Sequence, residues 1–258
     1  MGKNGQPRRI KSVDRTLDIV EALRDNDSMT VTELAETVDL SPGTVHTYLA
    51  TLEDRGYVCS ESGVYRLGLF LLPMGEYIRA SSDLYKAAKS VVDELADETG
   101  EAIHLVVESN WYEIQLYEQF GSDAVGEELY IQNKGVPKRN LHCSAAGKAI
   151  LAHLDEERRE EILANCEFAE RTPATITDAE ALREELRSIR DRGIAFNDEE
   201  QIQGLRAVGA PITTEGTIQG GISLSAPVSR LEGERFRSTF PDHARQAANI
   251  VEVNLQAT

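Results

Sequence analysis

Leu40-Ser41-Pro42-Gly43-Thr44-Val45-His46-Thr47-Tyr48-Leu49, running on through Ala50-Thr51-Leu52-Glu53-Asp54-Arg55-Gly56, carries its own start, stop and buried face. Ser41 is a good N-cap, because its hydroxyl can accept one of the unpaired amides of a first helical turn. Pro42 at the first helical position loses nothing, since its missing N–H would have had no acceptor there. Val45, Leu49 and Leu52 recur at three- and four-residue steps and so share one face. Gly43, Thr44, His46, Thr47 and Ala50 fall on the other, which is small and polar. Gly56 is placed to end this helix, predicted over Pro42 to Arg55, with a left-handed cap.

Asp39-Leu40 is a tight connection back to a shorter helix. Thr30-Val31-Thr32-Glu33 has the Thr-x-x-Glu spacing of a capping box, followed by Val31, Leu34, Ala35 and Val38 on one face. Earlier still, Ser12 is a candidate cap for a helix with Val13, Leu17, Val20 and Leu23 on its apolar side, ending near Asp25-Asn26-Asp27-Ser28. Downstream, Tyr57-Val58-Cys59-Ser60 and Val64-Tyr65-Arg66-Leu67-Gly68 flank the turn Glu61-Ser62-Gly63 and read as a hairpin. Three helices and a hairpin make a winged helix-turn-helix. That fold binds DNA, and it also serves as a protein-interaction module, so the fold alone leaves both functions open.

Leu69 to Ala80 is apolar around Pro73 and Gly75, and reads as a linker helix with a stripe suited to a second copy of the same segment; burial against its own domain is the alternative. A capped helix from Ser82 or Asp83 to Thr99-Gly100 opens a second domain. Ala102–Val107 and Glu113–Glu118 read as strands around a turn at Ser109-Asn110, with further strands at 128–132, 207–212 and 217–225. Helices are predicted at Ser144–Leu154, Glu156–Asn165, Asp178–Asp191 and Ser229–Gln256. The class is α+β: a winged helix-turn-helix over residues 1–68, a linker helix over 69–82, and over 83–258 a mixed α/β domain with one antiparallel sheet and helices on its faces.

The 258 residues suffice for two such domains, and 41% hydrophobic residues with a mean hydropathy of −0.35 suit globular cores. No apolar run is long enough to span a membrane and no secretory signal precedes the first helix, so a cytoplasmic protein is expected. Cys59, Cys143 and Cys166 are odd in number and widely spaced, which indicates neither a disulfide framework nor a zinc ribbon. A net charge of −17 would ordinarily argue against nucleic acid. The charge is dispersed, however, and only 7 of the 27 basic residues are Lys, a pattern of adaptation to high salt, where long-range repulsion is screened. The first fifteen residues, with Lys3, Arg8, Arg9, Lys11 and Arg15 against Asp14 alone, form the most basic stretch.

Three ordered stretches resemble the IclR family of transcriptional regulators. The first is Leu34-Ala35, Leu40 to Leu49, Leu52-Glu53, Gly56-Tyr57-Val58 and Tyr65-Arg66-Leu67-Gly68. The second is Leu141-His142-Cys143-Ser144-Ala145-Ala146-Gly147-Lys148-Ala149-Ile150-Leu151. The third runs from Arg192-Gly193-Ile194-Ala195 through Glu199-Glu200, Gly204-Leu205-Arg206 and Ala210-Pro211 to Ile222-Ser223-Leu224-Ser225-Ala226-Pro227. The resemblance implies a homodimer or homotetramer on a palindromic double-stranded DNA operator, with a GAF-like C-terminal domain that senses a small, often anionic metabolite. Position by position it places Ala145, Ala146, Asn197, Asp198, Leu205, Ala207, Ser223 and Ser225 at the effector, with Leu129 and Ile131 as walls. Ser223 and Ser225, two apart on a strand, point the same way, and the first amides of a helix at Ala145–Gly147 favour a carboxylate.

This chain departs from the family where Pro42 and Thr47 stand at positions often basic. Phosphate binding is therefore expected from Arg8, Arg9 and Arg66, while Thr44, His46, Thr47 and Tyr48 meet base edges or sugars, with Ser41 and Gly43 completing the DNA-facing set. Other motifs fail on chemistry. Gly147-Lys148 lacks both the first Gly and the Ser or Thr of a phosphate loop. His142, Cys143 and His153 have no metal spacing. Cys143 as a nucleophile, with His142 or His104 as base and Asp198 to orient it, is disfavoured because adjacent strand residues point apart. No catalytic residue, metal, cofactor or membrane is expected. The competing reading is a GAF-type small-molecule sensor whose winged helix binds protein.

Overall fold

A computed structural model describes residues 9–125 and 141–257, and the chain divides into two compact units at Ile78/Arg79. The first unit contains α1 (Lys11–Asp25), β1 (Met29–Thr30), α2 (Val31–Thr37), α3 (Pro42–Asp54), β2 (Val58–Glu61) and β3 (Val64–Leu67); α4 (Leu71–Ser81) runs across the division. The capping box is formed: the Thr30 amide donates to Glu33 at 2.7 Å, and Thr30 Oγ1 accepts from the Glu33 amide at 3.3 Å. The Ser41 hydroxyl accepts from the Thr44 amide at 3.3 Å, and α3 ends one residue earlier than expected, with Arg55 as C-cap before Gly56 at φ +76°. Ser62 and Gly63 both take positive φ, the backbone a two-residue hairpin needs. β3 pairs with β2 on one side and β1 on the other, with Arg66 opposite Cys59.

Helix α1 corrects the sequence reading. It starts at Lys11 with Ile10 at the N-cap position and no side-chain cap, so Ser12 does not serve as one. Val13 and Leu17 are exposed, while Ile19, Ala22 and Leu23 enter the core with Leu34, Val45, Leu49 and Val58. The helix carries two apolar stripes that share Leu23, and packing against α2, α3 and β2 buries Ile19 and Ala22 beside it rather than Val13 and Leu17.

The second unit comprises α5 (Asp83–Thr99), β4 (Ala102–Ser109), β5 (Tyr112–Phe120), α6 (Ala145–His153), α7 (Glu156–Ala164), α8 (Ala179–Arg192), β6 (Ala195–Asp198), β7 (Leu205–Thr214), β8 (Thr217–Pro227) and α9 (Phe240–Gln256). The strands form one antiparallel sheet in the order β5-β4-β8-β7-β6. Alternation along each strand sends Ile103, Leu105, Val208, Ala210, Ile222 and Leu224 into one core with α5 and α9. A second core, on α6, α7 and α8, takes Val106 and Ala195 from the strands.

Three details differ from expectation, and one falls beyond view. The β4–β5 turn is Asn110-Trp111, both at positive φ, one residue later than Ser109-Asn110. The helix expected from Ser229 forms α9 only from Phe240, after a wide turn at Arg235–Thr239 in which the Phe240 amide reaches the Arg235 carbonyl. Pro241 has no N–H to give to the preceding turn, which favours that widening. The edge strand β6 forms over Ala195–Asp198, where no separate strand is expected from the sequence. The strand expected at 128–132 lies outside the described residues.

Candidate functional site

In the first unit, α3 presents Ser41, Gly43, Thr44, His46 and Thr47 to solvent, with Tyr48 half-buried against the core. Thr47 Oγ1 donates to the Gly43 carbonyl at 3.0 Å and the Ser41 and Thr44 hydroxyls meet at 2.8 Å, which fixes their rotamers and leaves lone pairs outward. From Pro42 to Leu52 the helix carries no Asp or Glu, in a chain with 44 of them. Arg66 is exposed on β3 and Arg9 is exposed ahead of α1; Arg8 lies outside the described residues.

In the second unit, the sheet face turned away from α5 and α9 lines a small cavity of about 40 Å³. Seven of the residues singled out in the sequence meet there: Ala145, Ala146, Asn197, Leu205, Ala207, Ser223 and Ser225. Asp198 does not line it; Asn197 faces the cavity, so its strand neighbour turns away, and the Asp198 carboxylate accepts from Arg206 Nε at 2.6 Å. Leu129 and Ile131 lie outside the described residues.

The sequence reading missed other walls: His104, Val106, Glu113, Gln115, Ser144, Gln201, Ile202 and Arg206. Their signal was the polar phase of the strands, His104 between Ile103 and Leu105, and Gln115 between Ile114 and Leu116. His104 Nε2 and Ser225 Oγ are 2.8 Å apart, and Gln115 Nε2 lies 3.3 Å from His104 Nδ1 and donates to the Tyr117 carbonyl at 2.9 Å. Ser144 caps α6, accepting from the Gly147 amide at 2.9 Å and donating to Glu113. Ala145 and Ala146, whose amides have no acceptor inside their helix, are among the lining residues, so the N-terminal end of α6 borders the cavity.

A buried ion pair ties two of these walls. Lys148 on α6, fully buried, reaches both oxygens of Glu200 at 2.5 and 2.6 Å. The Glu200 amide donates to Asn197 Oδ1 at 2.8 Å, and its carbonyl accepts from Thr175 Oγ1 at 2.6 Å. Burial pushes the Glu200 carboxyl above the usual range, against the opposing pull of Lys148. Burial likewise pushes the Cys143 thiol up to about 12, reinforced by the charges of Glu113 and Glu200, so it is no thiolate nucleophile. His142 and His153 each lie within hydrogen-bond distance of a backbone carbonyl, of Ala169 and Ala149. Among the described residues no three His, Cys, Asp or Glu side chains cluster as metal ligands, and no helix is long and apolar enough to cross a membrane.

A winged helix-turn-helix followed by a domain with a polar cavity has the build of a DNA-binding transcriptional regulator. The family models agree: residues 12–61 match the IclR helix-turn-helix domain, and residues 77–253 match the bacterial transcriptional regulator IclR C-terminal model. The chain belongs to the IclR family of transcriptional regulators, which are not enzymes. It is 42% identical over 255 residues to the Halobacterium salinarum protein named Probable HTH-type transcriptional regulator ArcR, covering 98% of this chain and 97% of the relative. The crystal structure of Thermotoga maritima IclR superposes with a TM-score of 0.72 at 26% identity, covering 96% of this chain and 99% of the other. An IclR homolog from Microbacterium hydrocarbonoxydans, crystallised with 4-hydroxybenzoate, shares the fold with a TM-score of 0.80 at 22% identity, covering 95% and 99%. Membership decides for DNA over the protein-binding alternative as the target of the winged helix.

Proposed function

We propose that the chain binds a palindromic operator as a homodimer or homotetramer and responds to a small carboxylate-bearing metabolite held in the cavity on the sheet face. The observation that carries the reading is the cavity itself. Serine hydroxyls, an imidazole, amides and the first amides of α6 converge there, although the strands that supply them bury hydrocarbon on their other face. The Microbacterium homolog's 4-hydroxybenzoate complex supports a ligand-binding role for this domain. Arg8, Arg9 and Arg66 are assigned to phosphates, and Thr44, His46, Thr47 and Tyr48, flanked by Ser41 and Gly43, to base edges or sugars. Self-association is assigned to the linker segment, where Leu69, Phe70, Leu72, Met74, Tyr77 and Ile78 are all exposed.

The test is fluorescence anisotropy against DNA upstream of the protein's own gene in molar KCl, with scrambled DNA of equal length as control and carboxylate metabolites added to the complex. Selective binding, released or tightened by one metabolite, is expected; equal affinity for both DNAs would defeat the reading. A Leu72→Glu, Tyr77→Glu variant should fall to a smaller species in sedimentation, and a fully oligomeric variant would reject the linker as the interface.

A further inference from the structure

Apart from the polar cavity, the second unit holds a cleft of about 580 Å³, open to solvent, between the end of α6 and helices α7 and α8. In a chain of net charge −17, its lining carries Arg159, Arg183, Arg187 and Arg190 against only Glu156 and Glu160. Arg183, Arg187 and Arg190 stand at i, i+4 and i+7 on α8, a row of like charges that by itself weakens a helix.

Two of the four guanidinium groups have structural work. Arg183 holds Glu160 through Nε at 3.2 Å and Nη2 at 2.6 Å, and Glu180 through Nη1 at 3.1 Å. Arg190 closes the end of α6, donating to the carbonyls of Ala152 at 2.8 Å and Leu154 at 3.4 Å. The other two are less committed. Arg187 is exposed and its side chain makes no hydrogen bond among the described residues. Arg159, its side chain only 16% exposed, forms an ion pair with Glu160 at 3.8 Å, too long for a hydrogen bond and shared with Arg183 on the same carboxylate. A guanidinium group held mostly out of water with only one long ion pair, beside a second one on the same cleft, leaves donors for the fork geometry of an oxyanion.

We propose that this cleft binds a small multivalent oxyanion, a phosphate- or polycarboxylate-bearing metabolite, with Arg159 and Arg187 donating to it and Arg183 and Arg190 fixing the walls. The concave shape favours a small molecule over a flat protein surface, and the size is that of an ordinary ligand pocket. The site does not depend on the effector cavity, although α6 touches both: its first turn lines the cavity and its last carbonyls hold Arg190.

The experiment is calorimetric titration of the full chain with pyrophosphate and, separately, with citrate, at constant ionic strength. It compares wild type with Arg159→Gln, Arg187→Gln, the double variant and an Arg245→Gln control, whose side chain pairs with Asp242. The expected result is saturable binding of at least one anion, weakened about tenfold or more by each single variant. The double variant should abolish it and the control leave it unchanged. No saturable binding of either anion, or equal binding by the double variant, overturns the proposal. Altered sedimentation of the double variant without anion binding by wild type overturns it too, and makes the cleft a contact between copies. If Arg159→Gln lowers the melting temperature, Arg187→Gln decides alone, because that exposed side chain has no partner to lose among the described residues.

Discussion

The two faces of the five-stranded sheet are made by the same strands, one residue out of phase, and they are held by different physics. Toward α5 and α9 the strands present Ile103, Leu105, Val208, Ile222 and Leu224, hydrocarbon on hydrocarbon. Toward α6 they present His104, Ser223, Ser225, Asn197 and the small residues Ala207 and Gly209. The first face secures the fold through burial, which any close-packed apolar set supplies. The second must keep polar groups satisfied and space open, so it is stabilised by specific contacts: a buried ion pair, a helix cap and close backbone approach.

The largest effect is expected on the cavity side, at the buried pair. Lys148→Met alone leaves the Glu200 carboxyl buried without its cation and should cost about 3–5 kcal/mol, read from urea unfolding. Adding Glu200→Leu should recover most of the loss, since apolar residues of similar volume often replace such pairs without penalty. If the single variant unfolds with wild type, the pair is not what ties α6 to the 197–204 segment. The pH dependence has a definite sign. The Glu200 carboxyl is raised in the folded state, so between its unfolded and folded values the native protein holds the extra proton. Its contribution is fully present below the unfolded value and is lost as pH rises through the folded one. A Lys148→Met, Glu200→Gln double variant should lack that decline when its pH profile is subtracted from the wild type's.

On the apolar side Leu224→Ala should cost about 2–5 kcal/mol, the range for a fully buried leucine whose neighbours only partly collapse. The loss should appear in melting and leave operator affinity of the folded protein unchanged. Specific loss of DNA binding at temperatures where the variant is folded would show that the apolar face also transmits signal.

Close backbone approach gives the next effect. A Cβ on Gly209 would meet the Ala145 carbonyl carbon and oxygen and the Ala146 nitrogen at 2.5, 2.6 and 2.8 Å. Backbone cannot rotate aside as a side chain does, so Gly209→Ala should cost about 1–3 kcal/mol by overpacking. A neutral variant would mean that α6 slides freely over the sheet, and the cavity would then have no fixed wall there.

These residues also mark what the sequence made legible. The winged helix could be read nearly whole because its signals are local: Thr30 with Glu33, Ser41 with Pro42, and the 62–63 turn each act within four residues. Helix α1 misled in part because two apolar stripes share Leu23, and only tertiary packing selects Ile19 and Ala22 over Val13 and Leu17 beside it. In the cavity, resemblance pointed to Ser223, Ser225 and Asn197, while His104, Gln115 and Arg206 went unseen. Their positions depend on which strands become neighbours, β4 beside β8 and β5 at the edge, and no local pattern encodes that order. Asp198 was included although strand alternation, applied to Asn197, would have excluded it.

The smallest stability effect should come from Ser225→Ala, and it isolates the contrast because Ser225 and Leu224 are consecutive on β8. The serine loses one hydrogen bond to His104 Nε2, worth about 1 kcal/mol net, against the several expected at Leu224. Function should reverse the ranking. Whichever metabolite acts on the operator complex should lose about tenfold or more in potency against Ser225→Ala, because a site built to hydrogen-bond its ligand discriminates through the groups left unpaired. Leu224→Ala should keep wild-type potency when folded. Equal potency of both variants would move the effector off this face, whereas equal destabilisation would mean that the His104–Ser225 contact supports the fold as strongly as the hydrocarbon behind it.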